Sequence, residues 1–221
     1  MKGSDDPAAY EAWYHTARGR WIAEREFRLL QELLTPEPGA TLLDVGCGSG
    51  HFSRRFAQHG LAVTGLDPDS ASLAFAGTRG QGIRYLQGSA LELPFADNSF
   101  DYTSAVTSLC FIPDPVRALQ EMWRVTRNAV VLGLLNRHSL LHRKKQGRGS
   151  YTGARWDTAD EVLKQWLPGL APAPGKVMLR SGVFFPRGNT MARWSEHWLP
   201  GTLWRGAFLA VGLRKQPGAA G

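Results

Sequence analysis

The sequence predicts an α/β fold, a doubly wound and mostly parallel seven-stranded sheet with helices on both faces and the last strand antiparallel. Three observations predict it. Short apolar runs alternate with stretches of helical periodicity from Thr41 onward, the pattern of strands buried on both sides by crossover helices. One of these runs, TLLDVG, opens straight into the glycine turn G-C-G-S-G before a helical segment. The last two runs, 176–185 and 206–213, lack a clear helix between them, and their long connection allows an antiparallel return. With 221 residues the chain makes one α/β domain over 39–215, preceded by a helical segment at 1–38 and followed by a disordered tail at 216–221.

Each element has a local cause. Tyr10, Trp13 and Tyr14 share a face at helical spacing, as do Trp21, Ile22, Leu29, Leu30 and Leu33, so 8–34 reads as one or two amphipathic helices ended at Pro36–Gly39. Strands follow at 41–46, 62–67, 83–87, 102–106 and 129–135. Between them come a helix over 52–59 closed by Gly60, a helix from Ser70, and a helix capped by Asp114 and started by Pro115. Thr126–Asn128 reads as the turn before the fifth strand, and Thr158 with Glu161 as a capping box for the next helix. The segment 189–204 is aromatic and ambiguous.

The glycine turn carries the chemistry. Gly46, Gly48 and Gly50 let the main chain bend and present bare N–H groups at contact distance, between a strand and a helix N-terminus. An acid closing the second strand, Asp67, is placed to accept hydrogen bonds from two ribose hydroxyls, which fits a nucleoside-bearing cofactor without choosing one. The spacing differs from the G-x-G-x-x-G that admits a dinucleotide pyrophosphate.

Four segments in order resemble one family. DVGCGSG, GLDPDSASLAFA, GSALELPFADNSFD (88–101) and TSLCFIPDPVRALQEMWRV (107–125) are similar to successive motifs of class I S-adenosylmethionine-dependent methyltransferases, and most so to the small single-domain branch containing quinone-biosynthesis enzymes. The resemblance implies a Rossmann-like methyltransferase fold, S-adenosylmethionine as cofactor and S-adenosylhomocysteine as product. It implies that Gly46, Gly48 and Gly50, with the small Cys47 in the same turn, line the methionine part, and that Asp44 braces the turn. Asp67 then holds the ribose with Pro68 on the adenine side, Ser89, Ala90 and Leu91 contact adenine, and Val106 lies beneath the sulfonium. The chain departs from the family at Ser89, where an aspartate is usual, at Thr126–Asn128, where a Pro-Gly-Gly turn is usual, and at Cys110 and Phe111, where paired histidines are frequent. No catalytic residue carries over.

The reaction implied is in-line displacement on a small-molecule acceptor, in which alignment and exclusion of water are the main tasks of the protein. The helical segment at 1–38 would cap the active site. Tyr10, Trp13, Tyr14, Phe111 and Arg137 are the candidate lid or substrate residues; aromatic walls with arginines at the rim suit a flat or apolar acceptor bearing an anionic group.

Charge and composition bound the alternatives. The net charge is +7, and no acid lies between Glu121 and Asp157, while Arg124, Arg127, Arg137, Arg143, Lys144, Lys145, Arg148 and Arg155 all do. A solvated loop explains this; so would a tRNA or protein substrate read by the basic loop 137–155. A third reading is a non-catalytic S-adenosylmethionine-binding protein. Cys47 and Cys110 have no metal or disulfide pattern and the six histidines have no ligand spacing, so no metal is expected. MKGSDDPAAYEAW lacks the apolar core of a secretory signal and no apolar run reaches membrane-spanning length, so the expected location is the cytoplasm.

Overall fold

The computed structural model describes residues 6–79, 82–186, 194, 196 and 198–216. The N-terminal segment makes two helices, α1 (Pro7–Tyr14) and α2 (Ala17–Leu34). Asp6 caps α1 by accepting the Ala8 N–H, and Thr16 caps α2 by accepting that of Gly19. There follow β1 (Thr41–Val45), α3 (His51–Gln58), β2 (Ala62–Asp67), α4 (Ser70–Gly77), β3 (Arg84–Gln87) and β4 (Phe100–Val106). The chain continues through α5 (Pro115–Val125), β5 (Thr126–Leu135), α6 (Leu140–Lys145), α7 (Ala159–Glu161), β6 (Lys176–Gly182) and β7 (Phe208–Arg214).

The seven strands form one sheet in the order β3-β2-β1-β4-β5-β7-β6, with β7 antiparallel to both its neighbours and the rest parallel. Successive residues of β1 and β5 feed opposite faces. Leu42, Ala129 and Val131 pack with α2 and α3, whereas Leu43, Val130 and Leu132 pack with α5 and α7. The strand order reverses between β1 and β4, so a crevice opens at their carboxyl ends, where an open α/β sheet takes its ligand.

Three expectations are corrected in detail. Thr126–Asn128 is not a turn: α5 ends at Val125 and β5 begins at Thr126, paired with Phe100. The Thr126 hydroxyl donates to the Met122 carbonyl (2.6 Å) and bonds the Thr103 hydroxyl (2.8 Å), which ends the helix without a connecting residue. The capping box of Thr158 and Glu161 forms, yet the α-helix lasts only three residues before winding into a π turn over Val162–Trp166 and a 3-10 turn over Leu167–Gly169. The sixth strand stops at Gly182, because Val183 takes a φ of 62° and turns its N–H and that of Phe184 to the buried Glu196 carboxylate. The expected tail 216–221, beyond Gln216, and residues 189–193, 195 and 197 of the ambiguous segment lie outside the described residues.

Asp44, central in β1, is buried and accepts the hydroxyls of Ser53 in α3 (2.6 Å) and Ser104 in β4 (2.8 Å). Burial pushes its carboxyl up to about 6, against those two hydrogen bonds and with help from nearby Asp67. A carboxyl that binds its proton more tightly when folded costs stability as pH rises from its ordinary value of 3.8 through 6, by roughly 3 kcal/mol once fully ionised. Asp44→Asn keeps both contacts, since either serine hydroxyl can accept from the amide. Its melting temperature is expected to exceed the wild type by several degrees at pH 8 and to match it below pH 4, as measured by thermal unfolding across pH.

Candidate functional site

The glycine turn lies at the carboxyl end of β1, and its three glycines answer to different neighbours. Gly46 has a φ of 72°, and a Cβ there would sit 2.4 Å from the Ser108 Cβ. Gly50 has a φ of 77° and would meet the Tyr85 hydroxyl at 2.4 Å. Only Gly48, at φ 50°, has nothing within 4 Å on its side-chain side, so only there does the bend face open space.

The amides of the turn are not bare, contrary to the expectation. Gly46 and Cys47 both donate to the Leu66 carbonyl (2.7 and 3.1 Å), and Gly50 donates to that of Cys47 (2.9 Å). Gly48 donates to Asp67 Oδ2 (2.9 Å). Among the described residues, the donors that remain available are the Ser49 N–H and those of the first turn of α3, whose N-cap, Gly50, supplies no side-chain acceptor. Asp67 is fully buried and accepts the Asp69 N–H at its other oxygen (2.9 Å). Burial raises its carboxyl above the ordinary range, against those two backbone donors.

These residues fit S-adenosylmethionine by their chemistry. A helix N-terminus suits the cofactor's carboxylate, Asp67 suits its ribose hydroxyls, and the space over Gly48 admits the chain between them. Pro68 is exposed beside Asp67, and its carbonyl accepts from Gln87 (3.1 Å). Ser89 is exposed with its hydroxyl accepting the Leu91 N–H (3.2 Å), Ala90 is buried and Leu91 partly so. Val106 ends β4 on the far side of the crevice. Cys47 has its sulfur over Gly65, where a Cβ would meet it at 2.9 Å, and burial raises its thiol far above the usual range, which makes it a packing residue.

Glu11 is the site residue that the sequence reading missed. It lies on α1, is 5% exposed, and accepts from Arg54 (2.6 Å) and from the Ser49 hydroxyl (3.0 Å), with His51 Nδ1 at 3.3 Å. Burial works against its charge, but the His51 and Arg54 hydrogen bonds outweigh it and hold the carboxyl at about 2. Tyr14 stacks on His51 with ring centres 3.6 Å apart. Glu11 and Tyr14 thus fasten α1 to the first turn of α3, directly beside the crevice. An acid among aromatics gives little sequence signal; its spacing of three from Tyr14 was the one clue.

The other candidates divide. Tyr10 and Tyr14 join hydroxyls at 2.9 Å, and Trp13 packs edge-on to Tyr14. Phe111, in a 3-10 turn after β4, packs against the same cluster as Tyr14, Cys110 and Trp156. Arg137 does not join them: it pairs with Glu161 (2.8 Å) and donates to the Trp156 carbonyl (2.9 Å). The acid-free segment is likewise less free than its composition suggests. Arg124 pairs with Glu121 and Asp97, Arg127 with Asp101, and Arg155 with Asp157. Arg143, Lys144, Lys145 and Arg148 have no acidic partner among the described residues.

Residues 43–132 match the family model described as "Methyltransferase domain". The chain is 38% identical over 103 residues to a malonyl-[acyl-carrier protein] O-methyltransferase of Pectobacterium atrosepticum, covering 47% of this chain and 41% of that protein. It is 39% identical over 100 residues to a demethylmenaquinone methyltransferase of Renibacterium salmoninarum, covering 45% and 42%. The chain thus spans about two-fifths of the length of these curated relatives. Among solved structures, a Thermotoga maritima protein described as a possible histamine N-methyltransferase superposes with a TM-score of 0.75 at 23% identity, covering 95% of both chains.

Proposed function

We propose that this chain, a member of the class I S-adenosylmethionine-dependent methyltransferase superfamily, methylates a small-molecule acceptor held beneath its N-terminal helices. The observation that carries this reading is the open bend at Gly48 joined to the buried Asp67 carboxylate, at the point where the strand order reverses. When bound, S-adenosylmethionine supplies a methyl group already activated by the charge on its sulfur, for in-line displacement that leaves S-adenosylhomocysteine. The protein's own task is then alignment and dryness. Helix α1, pinned by Glu11, closes the site from above, and Tyr10, Tyr14 and Phe111 wall the acceptor side.

A macromolecular substrate finds less support, because half of the arginines and lysines in the acid-free segment are already paired. The four that remain mark where tRNA would bind, and that binding would weaken steeply with salt. No helix among the described residues is long and apolar enough to cross a membrane.

Calorimetry with S-adenosylhomocysteine, S-adenosylmethionine and NADH tests the cofactor assignment. The first two are expected to bind and NADH not to; the reverse pattern overturns it. Release of S-adenosylhomocysteine in the presence of any acceptor separates an enzyme from a non-catalytic binder.

A further inference from the structure

The chain between β6 and β7 leaves large apolar side chains in solvent although its backbone is firmly held. The Ser181 N–H donates to the Gly201 carbonyl (2.7 Å) and the Ser181 hydroxyl to that of Leu203 (2.8 Å). Asn136, directly after β5, donates through its side chain to the Trp204 and Gly206 carbonyls (3.1 and 2.8 Å). The buried Glu196 carboxylate accepts the N–H groups of Val183 and Phe184. These anchors use main chain and one buried acid, so the large side chains are left over. Trp194 and Trp198, with ring centres 6.3 Å apart, are 70% and 74% exposed, and Leu203 and Trp204 are exposed as well. A lone exposed apolar residue is ordinary, but three exposed tryptophans on one anchored segment mark a contact surface.

Asn136 also ties this segment to a set of cations. Its carbonyl accepts the hydroxyl of Ser139 (2.7 Å), the N-cap of α6. On that helix Leu141 is buried, which leaves Leu140 outside on one face with Arg143 and Lys144, its neighbours one turn on. Arg143, Lys144, Lys145, Arg148 and Arg205 are exposed and have no acidic partner among the described residues. On the side of the N-terminal helices, Arg18 donates to the Pro186 carbonyl (2.6 Å), next to the exposed Phe185. The strand pairing sets the level of these groups. Gly182 at the end of β6 faces Phe208, which faces Leu135 at the end of β5, so they stand at the carboxyl edge of the sheet, as the crevice does.

From this arrangement we propose that the surface carrying Trp194, Trp198, Leu203 and Trp204, with Leu140 and the cations of α6, docks on an anionic lipid bilayer. Tryptophan joins an apolar body to a polar N–H and so settles among lipid headgroups. Lysine and arginine lay their stems along apolar surface while their charges reach anionic headgroups. Charge and shape separate this occupant from others. A second copy of the chain, related by a twofold axis, would bring the same basic side chains against one another. Single-stranded nucleic acid would use the cations, but it needs stacking faces. The Trp194 and Trp198 rings are tilted by 59°, and Leu140 and Leu203 offer no π face. The proposal is independent of whether the chain transfers methyl groups.

The test is co-sedimentation of the full chain, without cofactor, with vesicles of phosphatidylcholine alone and of phosphatidylcholine mixed equally with phosphatidylglycerol. Affinity for the mixed vesicles is expected to be roughly tenfold or more above that for phosphatidylcholine, and to fall as salt is added. Tryptophan emission should shift to the blue on binding. The double variant Trp194→Ala with Trp198→Ala should bind roughly tenfold more weakly and lose most of that shift. Arg143→Gln with Lys144→Gln should narrow the preference for anionic vesicles while keeping the emission shift of whatever protein binds. All four side chains are exposed, so both variants should melt as the wild type does. No binding to the mixed vesicles, equal affinity for both compositions, or wild-type affinity in the tryptophan variant each overturns the proposal. So does tRNA binding that is tighter than vesicle binding and survives the tryptophan changes, which would assign the cations to nucleic acid. A dimer in sedimentation equilibrium that dissociates in the tryptophan variant would overturn it in favour of self-association.

Discussion

Asp67→Ala is expected to weaken S-adenosylhomocysteine binding by at least a hundredfold while the protein remains folded. Each carboxylate oxygen accepts one backbone N–H, from Gly48 and from Asp69, and keeps a second lone pair for a ribose hydroxyl. Hydrogen bonds to a charged group contribute about 1.5–3 kcal/mol each, so losing two exceeds the 2.7 kcal/mol or so that a hundredfold requires. The effect on stability is smaller because two terms oppose. Alanine leaves the Gly48 and Asp69 N–H groups without their acceptor, at about 1–3 kcal/mol each where water cannot reach them. It also removes a fully buried carboxylate whose ionisation burial already disfavours. Asp67→Asn is the harsher variant for the turn, since its amide would point a donor at one of those two N–H groups. Calorimetry and circular dichroism melts on both variants decide the matter; affinity within threefold of wild type in a folded Asp67→Ala would remove Asp67 from the cofactor site.

What the sequence disclosed and what it withheld follow from the range of the interactions involved. Strand β2 ends at Asp67 as expected because a buried parallel strand is a local apolar run, and Asp114 and Pro115 start α5 because capping is a matter of adjacent residues. The capping box at Thr158 was equally legible, whereas the π turn that follows it was not, since Val162 and Trp166 are fixed by packing against the far face of the sheet. The glycine turn was legible as a turn, but not the reason for each glycine. Ser108 and Tyr85, which crowd Gly46 and Gly50, lie on other strands or beyond them. Glu11 was missed for the same reason. It reads as an ordinary helical acid until folding places it on Arg54. Arg137 failed in the opposite sense: a free cation in the sequence met Glu161 only in three dimensions.

Alanine at Gly46 and alanine at Gly48 should therefore fail in different ways, although the two glycines look alike in the sequence. At Gly46 the left-handed backbone, φ 72°, costs an alanine about 1–2 kcal/mol, and a Cβ 2.4 Å from that of Ser108 adds overpacking of about 1–3 kcal/mol. The sum lowers the melting temperature by roughly 5–20 °C in a chain of this length. Ser108→Gly in the same molecule removes the obstruction and should recover part of the loss, though not all, because the Ser108 hydroxyl also donates to the Val45 carbonyl (2.8 Å). At Gly48 the backbone penalty is about the same, but no atom lies within 4 Å of the new methyl. Stability falls by only a few degrees, and the methyl instead fills space assigned to the cofactor, so the S-adenosylhomocysteine Kd should rise at least tenfold. Melting curves and calorimetry on the two variants separate a packing glycine from a ligand glycine. A Gly48→Ala protein that binds as the wild type does would mean that the open side of the turn faces solvent, and the cofactor would have to lie elsewhere along the crevice.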